Sequence, residues 1–254
     1  MEWTDRGLVI QRRRHGENAA IVTVFTREHG RHPGLVRGGA GRRGGGLYQP
    51  GNLVDVRWRA RLAEHLGTFS GELAEGLAAR VLDQPLRLAA LVAACALLET
   101  TLPEREAHHV LYAASVELLR GLGRDDWAAE YVRWEVLCLA ELGFGLDLVS
   151  CAATGVRDDL VFVSPRTGRA LSAKAGQHLA ARLLRLPAFL RDGVNRGGPA
   201  APDAVLDGLI LTGHFLERHV LAPHHRHLPA ARIRLVDRWR RSATISSATR
   251  NGAK

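Results

Sequence analysis

The chain has 254 residues, 46% hydrophobic and 24% charged, with 35 Lys+Arg against 26 Asp+Glu for a formal charge of +9. That composition is ordinarily globular, allows one large domain or two smaller ones, and excludes a disordered chain. Three scattered cysteines (Cys95, Cys138, Cys151) with no C-x-x-C exclude a disulfide scaffold. Met1–Arg6 does not read as a signal peptide, and the longest uncharged apolar run, Leu88–Leu98, is shorter than the ~20 residues that span a bilayer, so a soluble cytoplasmic protein with no membrane role is expected.

The first ~75 residues read as β structure. Gly7–Arg13 and Ala19–Thr26 are β-rich runs joined by His15-Gly16-Glu17-Asn18, and a third follows Gly30 and ends at Gly38-Gly39. Leu53–Arg61 carries the clearest signal. There Val54, Val56, Trp58 and Ala60 alternate with Asp55, Arg57, Arg59 and Arg61, which turns an apolar face inward and a comb of arginines outward. Leu66–Leu73 supplies a fifth strand. Five short strands with glycine-marked turns and no room for crossover helices predict a small antiparallel barrel, the five-stranded OB-fold being the common answer at this length.

After Gln84-Pro85 the period changes. Leu86–Leu102 is apolar nearly all round, as a central buried helix would be. Glu104–Leu122 and Asp126–Leu142 have helical spacing, the latter with Asp125 or Asp126 as N-cap and Gly143 as stop. The period is lost over 146–170 around a short Leu160–Val163 strand. Ser172–Leu190 reads as a helix ended or kinked by Pro187, Arg191–Pro202 as a mobile loop, and Pro202-Asp203 as the opening of a helix to about Leu221. The expected class is α+β: an OB-fold domain over 1–78, a helical domain over 79–241 with an irregular, partly β insertion, and a disordered tail over 242–254.

Lys174 and Lys254 are the only lysines, so nearly all the cationic charge is arginine. GC-rich coding explains that choice but not the clustering. Eight arginines lie between Arg27 and Arg61 against Glu28 and Asp55, and six between Arg226 and Arg241 against Asp237. Such a field attracts polyanions. Within the expected barrel, Arg31, Arg37, Arg42, Arg43, Arg57, Arg59 and Arg61 are the candidate nucleic-acid-binding residues, a basic surface for backbone-directed contact without sequence preference. Trp3, Phe25, Tyr48 and Phe69 are the few aromatics available for stacking.

The run Gly38–Gly46 contains a literal G-x-G-x-x-G from Gly39 to Gly44. A dinucleotide site requires such a run to open a helix, whereas Leu47-Tyr48-Gln49-Pro50-Gly51 does not start one, and a flexible arginine-bearing loop is expected instead. His214, His219 and the His224-His225-x-His227 group lack a matching second ligand pair. No serine sits in a G-x-S-x-G turn, and Cys138 lies mid-helix among apolar neighbours. No metal, cofactor or catalytic residue is expected, and the chain does not read as an enzyme.

Several short motifs recur in a telling order: Trp3-x-x-x-Gly7-x-Val9, Gly16-Glu17, Val24-Phe25-Thr26 with Gly30-Arg31, Val36-Arg37-Gly38-Gly39-Ala40 and Leu47-x-Gln49-Pro50-Gly51. They continue as Arg133-Trp134-Glu135 running on to Leu142-Gly143, Leu148-x-x-Cys151, Ser164-Pro165-x-Thr167-Gly168 and Leu228-Pro229-x-x-Arg232. In order and spacing the chain resembles the RecO family of bacterial recombination mediators over nearly its whole length. The resemblance implies an N-terminal OB-fold, a helical C-terminal domain, binding of single- and double-stranded DNA without sequence preference, and annealing of complementary strands. It also implies RecR as a partner in loading RecA onto strands coated by SSB, in the bacterial cytoplasm at the nucleoid. Some members hold zinc through four cysteines in the irregular segment; only Cys151 stands there in this chain, so zinc is not expected. For the SSB C-terminal tail, acidic with an apolar end, Arg133 and Trp134 are the candidate contacts. A reading from another class is an OB-fold adapter that binds RNA or a protein and anneals nothing, which a preference for RNA over DNA would reveal.

Overall fold

A computed structural model describes residues 1–191 and 199–251. The loop expected over Arg191–Pro202 therefore lies largely outside the described residues, as do the last three positions of the expected tail. The chain forms two compact units, Met1–Gly123 with Pro229–Arg232, and Arg124–Leu228 with Ile233–Lys254. The first unit takes in two helices beyond the strands expected over 1–78 and runs to Gly123.

In the first unit, β1 (Glu2–His15), β2 (Ala19–Thr26), β3 (Gly30–Val36), β4 (Leu53–Arg59) and β5 (Thr68–Glu75) close a barrel in the order β1-β2-β3-β5-β4. Closure depends on the length of β1. Its first half pairs with β4, from Glu2↔Arg59 to Leu8↔Leu53, and its second half with β2, from Gly7↔Thr26 to His15↔Ala19. The register shifts between Val9 and Gln11, and a bulge of this kind bends a strand and lets it serve two neighbours. The remaining seam is a short parallel contact, Leu35↔Thr68. Gly34 makes that seam possible, since a Cβ there would stand 2.4 Å from the Phe69 ring. Inside sit Val9, Val22, Val24, Val54, Val56, Trp58 and Phe69. Each fully buried large apolar side chain contributes roughly 1.5–3 kcal/mol.

Helices α2 (Pro85–Thr101) and α3 (His109–Gly121) complete this unit. Pro85 occupies the first turn of α2, where its missing N–H costs nothing. The helix buries Ala90, Leu91, Ala94, Leu97 and Leu98, and Cys95 reaches the Val9 carbonyl of the barrel at 3.8 Å. Burial pushes the Cys95 thiol up to about 12. From α3, the Tyr112 hydroxyl donates to the Arg6 carbonyl at 3.0 Å.

Between β3 and β4 lies α1 (Arg42–Leu47). A loop was expected here, and the glycines do open a helical turn. Gly45 N–H bonds the Gly41 carbonyl at 2.8 Å, and Tyr48, buried in the barrel core, closes the turn onto Gly44 at 3.0 Å. Gly44 lies so close to Gly39 that a Cβ would stand 2.7 Å from the Gly39 Cα. Tertiary anchoring thus overrides the poor helix propensity of three glycines. No dinucleotide unit results, because β4 does not pair with β3 and no βαβ crossover is formed.

The second unit is built on α4 (Trp127–Glu141) and α6 (Pro202–Phe215), with a three-stranded sheet of β6 (Leu160–Val163), β7 (Ala170–Ser172) and β8 (Leu184–Arg185) in the order β7-β6-β8. Asp126 does stand at the N-cap of α4, but its side chain makes no capping bond; Gly143, at φ +85, ends the helix as expected. The helix expected over Ser172–Leu190 is reduced to α5 (Ala173–Gly176) and two 3₁₀ turns. The reason is tertiary. Leu184 and Arg185 pair with β6, and the Phe162 ring packs where a Cβ on Gly176 would stand, 2.5 Å away. Beyond α6 the chain widens into a π turn over Leu216–Leu221. The final helix, α7 (Ala230–Asn251), takes in most of the stretch where a disordered tail was expected from 242.

Candidate nucleic-acid interface

The alternation read in β4 is present in three dimensions. Val54, Val56 and Trp58 are buried, while Asp55, Arg57 and Arg59 face outward. Arg57 and Arg59 form one wall of a cleft of about 720 Å³. Arg37, from the turn after β3, and Arg43, on α1, line the same cleft, as do the buried Tyr48 and Phe69. Arg12 fixes the turn by donating to the Gly39 carbonyl at 3.0 Å. Four arginines around one open cleft make an elongated positive surface whose hydrogen-bond donors suit phosphate oxygens.

The remaining sequence candidates lie elsewhere. Arg42 and Arg61 are exposed but do not line the cleft. Arg31 lies on the outer face of β3 but is covered, its side chain only 13% exposed: its Nε donates to the Leu102 carbonyl at 2.8 Å, and its other nitrogens lie 3.4 Å from Glu104 and 3.9 Å from Glu99. It ties β3 to the end of α2, and its charge is already matched, so it leaves the candidate DNA-contacting set. Phe25 is core, packed edge-on to Tyr112.

The structure places Arg133 and Trp134, the expected tail contacts, in internal packing. Trp134 is buried beside Tyr131. Arg133 pairs with Glu130, donates twice to the Phe189 carbonyl at 3.2 and 3.0 Å, and lies over the Phe189 ring at 5.4 Å. The sequence offered an arginine beside aromatic residues, but α4 directs both side chains into the packing of its own unit.

One functional side chain escaped the sequence reading. Glu2 pairs with both Arg57 and Arg59, accepting from Nε and Nη2 of Arg59 at 2.9 and 2.7 Å. The Arg57 guanidinium, and then that of Arg59, holds the Glu2 carboxyl below the usual carboxylate range. This carboxylate sits where a phosphate would meet the same two arginines. Its place follows from the Glu2↔Arg59 register, which was not legible because the first strand was read as starting at Gly7.

Among the described residues, no group of three or more His, Cys, Asp or Glu side chains is placed to hold a metal ion. His227 bonds Glu217 at 2.8 Å and His214 the Pro165 carbonyl at 2.9 Å. Cys151 is buried and accepts from the Ser172 N–H at 3.4 Å. Burial alone would raise its pKa, but the Thr154 hydroxyl, the Ser172 and Ala153 amides and the Ser172 hydroxyl outweigh it and bring the thiol down to about 6. An ultraviolet titration is therefore expected to show one thiolate forming with a midpoint near 6, absent in Cys151→Ser. Because the folded value lies below the unfolded 9.0, the associated stability is complete above pH 9.0 and is lost as pH falls through 6. A midpoint at an ordinary thiol value would contradict the assignment.

The barrel and its cleft together define an OB-fold protein with an arginine-lined face. Family profiles described as Recombination protein O N terminal and Recombination protein O C terminal match residues 1–77 and 82–229. DNA repair protein RecO of Rhodospirillum centenum is 52% identical over 251 residues, covering 98% of this chain and 99% of its own. The RecO of Rhodospirillum rubrum is 51% identical over 247 residues (95% and 97%), and that of Mesorhizobium japonicum 51% over 233 (91% of each). The chain belongs to the RecO family.

Proposed function

We propose that this protein works in DNA repair and recombination by binding single- and double-stranded DNA through the arginine cleft, without sequence preference, and by annealing complementary strands. The observation that carries the reading is the convergence of Arg37, Arg43, Arg57 and Arg59 on one open cleft of an OB-type barrel. The relatives' name, DNA repair protein, supports the biological setting. Annealing needs no covalent step. It needs the repulsion between two phosphate backbones to be lowered, and four guanidinium groups that bind one strand while leaving its bases free do that. Loading of RecA onto SSB-coated strands, with RecR as partner and the SSB tail as a contact, belongs to the same proposal, as does a cytoplasmic, nucleoid-associated location. No helix among the described residues is long and apolar enough to cross a membrane, which is consistent with this setting.

The test is the annealing rate of two complementary oligonucleotides at moderate salt, with and without the protein, in the absence of nucleotide and metal. Acceleration is the expected result. Measurable strand binding without acceleration would reduce the proposal to DNA binding alone, and tighter binding of RNA than of DNA would favour an adapter role.

A further inference from the structure

Another cavity, of about 440 Å³, is bordered by Glu2, Trp3, His29, His32, Trp58 and Arg105. Its walls are aromatic. Trp3 stacks on His29 with ring centroids 3.9 Å apart and planes at 7°, and on Trp58 at 5.6 Å and 17°, while His32 meets both indoles edge-on. His29, with its side chain 33% exposed, and the partly buried Trp3 are the members of this column that solvent reaches, while Trp58 and His32 are buried.

The rings are held from behind. Asp5 bonds the His29 Nδ1 at 3.2 Å and also takes the Glu28 N–H at 2.8 Å, fixing the turn between β2 and β3. Trp58 Nε1 donates to the Leu66 carbonyl at 3.0 Å. Arg105, at φ +64, borders the cavity and holds the β4–β5 connection by donating to the carbonyls of Glu64 and His65 at 3.0 and 3.1 Å. A non-glycine residue held in the left-handed region beside a cavity is a conformation maintained by its surroundings. The site is thus formed before any ligand arrives, and its size falls in the range of small-molecule pockets.

Its chemistry differs from that of the cleft. Glu2 and Glu28 border the cavity, so a phosphate is not its natural occupant. Both carboxylates are engaged, Glu2 with Arg57 and Arg59 and Glu28 with Arg27 at 3.3 Å, so a free cation is not drawn in either. A neutral, flat, polarisable ring remains as the best match to a stacked Trp–His column with an arginine at its edge. Glu2 borders the cavity and pairs with two of the arginines that line the cleft, so a single side chain links the two sites.

We propose that this cavity receives an unstacked nucleobase of the single strand whose phosphates lie in the arginine cleft. The inference rests on the reading of that cleft as the DNA-binding face. The barrel then holds a strand by two separable means, charge for the backbone and stacking for one base, and stacking of this kind tolerates any base because every base has a π-face.

The experiment compares binding of an oligothymidylate and an abasic strand of equal length to the full chain, wild type and variant. Wild type is expected to favour the base-bearing strand by about tenfold, the order expected of one stacked base. His29→Ala should remove most of that preference and leave the affinity for the abasic strand unchanged. Trp3→Phe, which keeps a ring, should retain part of it. Ultraviolet cross-linking of a halogenated uracil in the strand should label a peptide containing Trp3 or His29. Equal binding of the two strands by wild type, or a preference that survives His29→Ala, overturns the base pocket while leaving the cleft standing. Failure of either strand to bind overturns the cleft reading and the pocket with it.

Discussion

Replacing Arg37, Arg43, Arg57 and Arg59 together with alanine is expected to weaken single-strand binding by at least ~100-fold, since charge-assisted contacts are individually worth roughly 1.5–3 kcal/mol. The salt dependence is the sharper readout. Each phosphate neutralised on a single strand adds roughly −0.7 to the slope of log K against log salt, so losing four contacts should flatten that slope by roughly 3. The comparison is Arg42→Ala with Arg61→Ala, two exposed arginines outside the cleft, which should change the slope far less. All six side chains are exposed or at the surface, so thermal stability should move little. Glu2→Gln supplies the opposite sign. It keeps the side chain's shape but removes the carboxylate that Arg57 and Arg59 now share, and should raise affinity roughly threefold to tenfold, most clearly at low salt. An unchanged slope in the quadruple variant would place the DNA path off this face, and a Glu2→Gln protein that binds more weakly would mean that the carboxylate orders the arginines instead of competing for them.

The elements legible in the sequence were those whose pattern is local. β4 declares itself by strict alternation, and the face that carries Arg57 and Arg59 could be read off with it. α2 and α4 declare themselves by apolar spacing, to within a residue or so of their observed ends. What escaped was set by partners distant in sequence. Arg31 points away from the barrel interior, as period two requires, yet the end of α2 lies over it, some seventy residues on along the chain. α1 is held by Tyr48 and by the approach of Gly44 to Gly39, neither of which local propensity encodes. The same limit governs the site. The arginine comb was visible as a run, but Arg37 and Arg43 join it only because the barrel closes through the β3–β5 seam, and Glu2 joins it only through the β1–β4 register.

The motif Arg133-Trp134-Glu135 marks the helical half of the chain, and the structure gives its acidic member a packing role. Glu135 is 0% exposed on α4, and Thr212 of α6, equally buried, donates its hydroxyl to the carboxylate while lying 3.0 Å from the Gly208 carbonyl of its own helix. Gly208 packs against Val132, where a Cβ would stand 2.8 Å from the valine methyl, so the two helices approach closely at this level. A buried carboxyl group at such a crossing is tolerated only when its oxygens are bonded. Glu135→Ala removes the acceptor, opens a cavity and strands polar atoms on the facing helix, so a loss of ~3 kcal/mol or more is expected. For a chain of this size that corresponds to a drop in Tm of roughly 6–12 °C. Glu135→Gln, which keeps an oxygen acceptor and the volume, should lose less, and Thr212→Val, which keeps the shape but not the donor, should lose about 1–3 kcal/mol. None of the three should alter the salt slope of DNA binding, because the pair lies in the second unit and is closed to solvent. Wild-type melting of Glu135→Ala would refute the packing role. The role of Glu135 would then have to be sought in what binds the helical half, since Arg133 and Trp134 are themselves committed to packing in this unit.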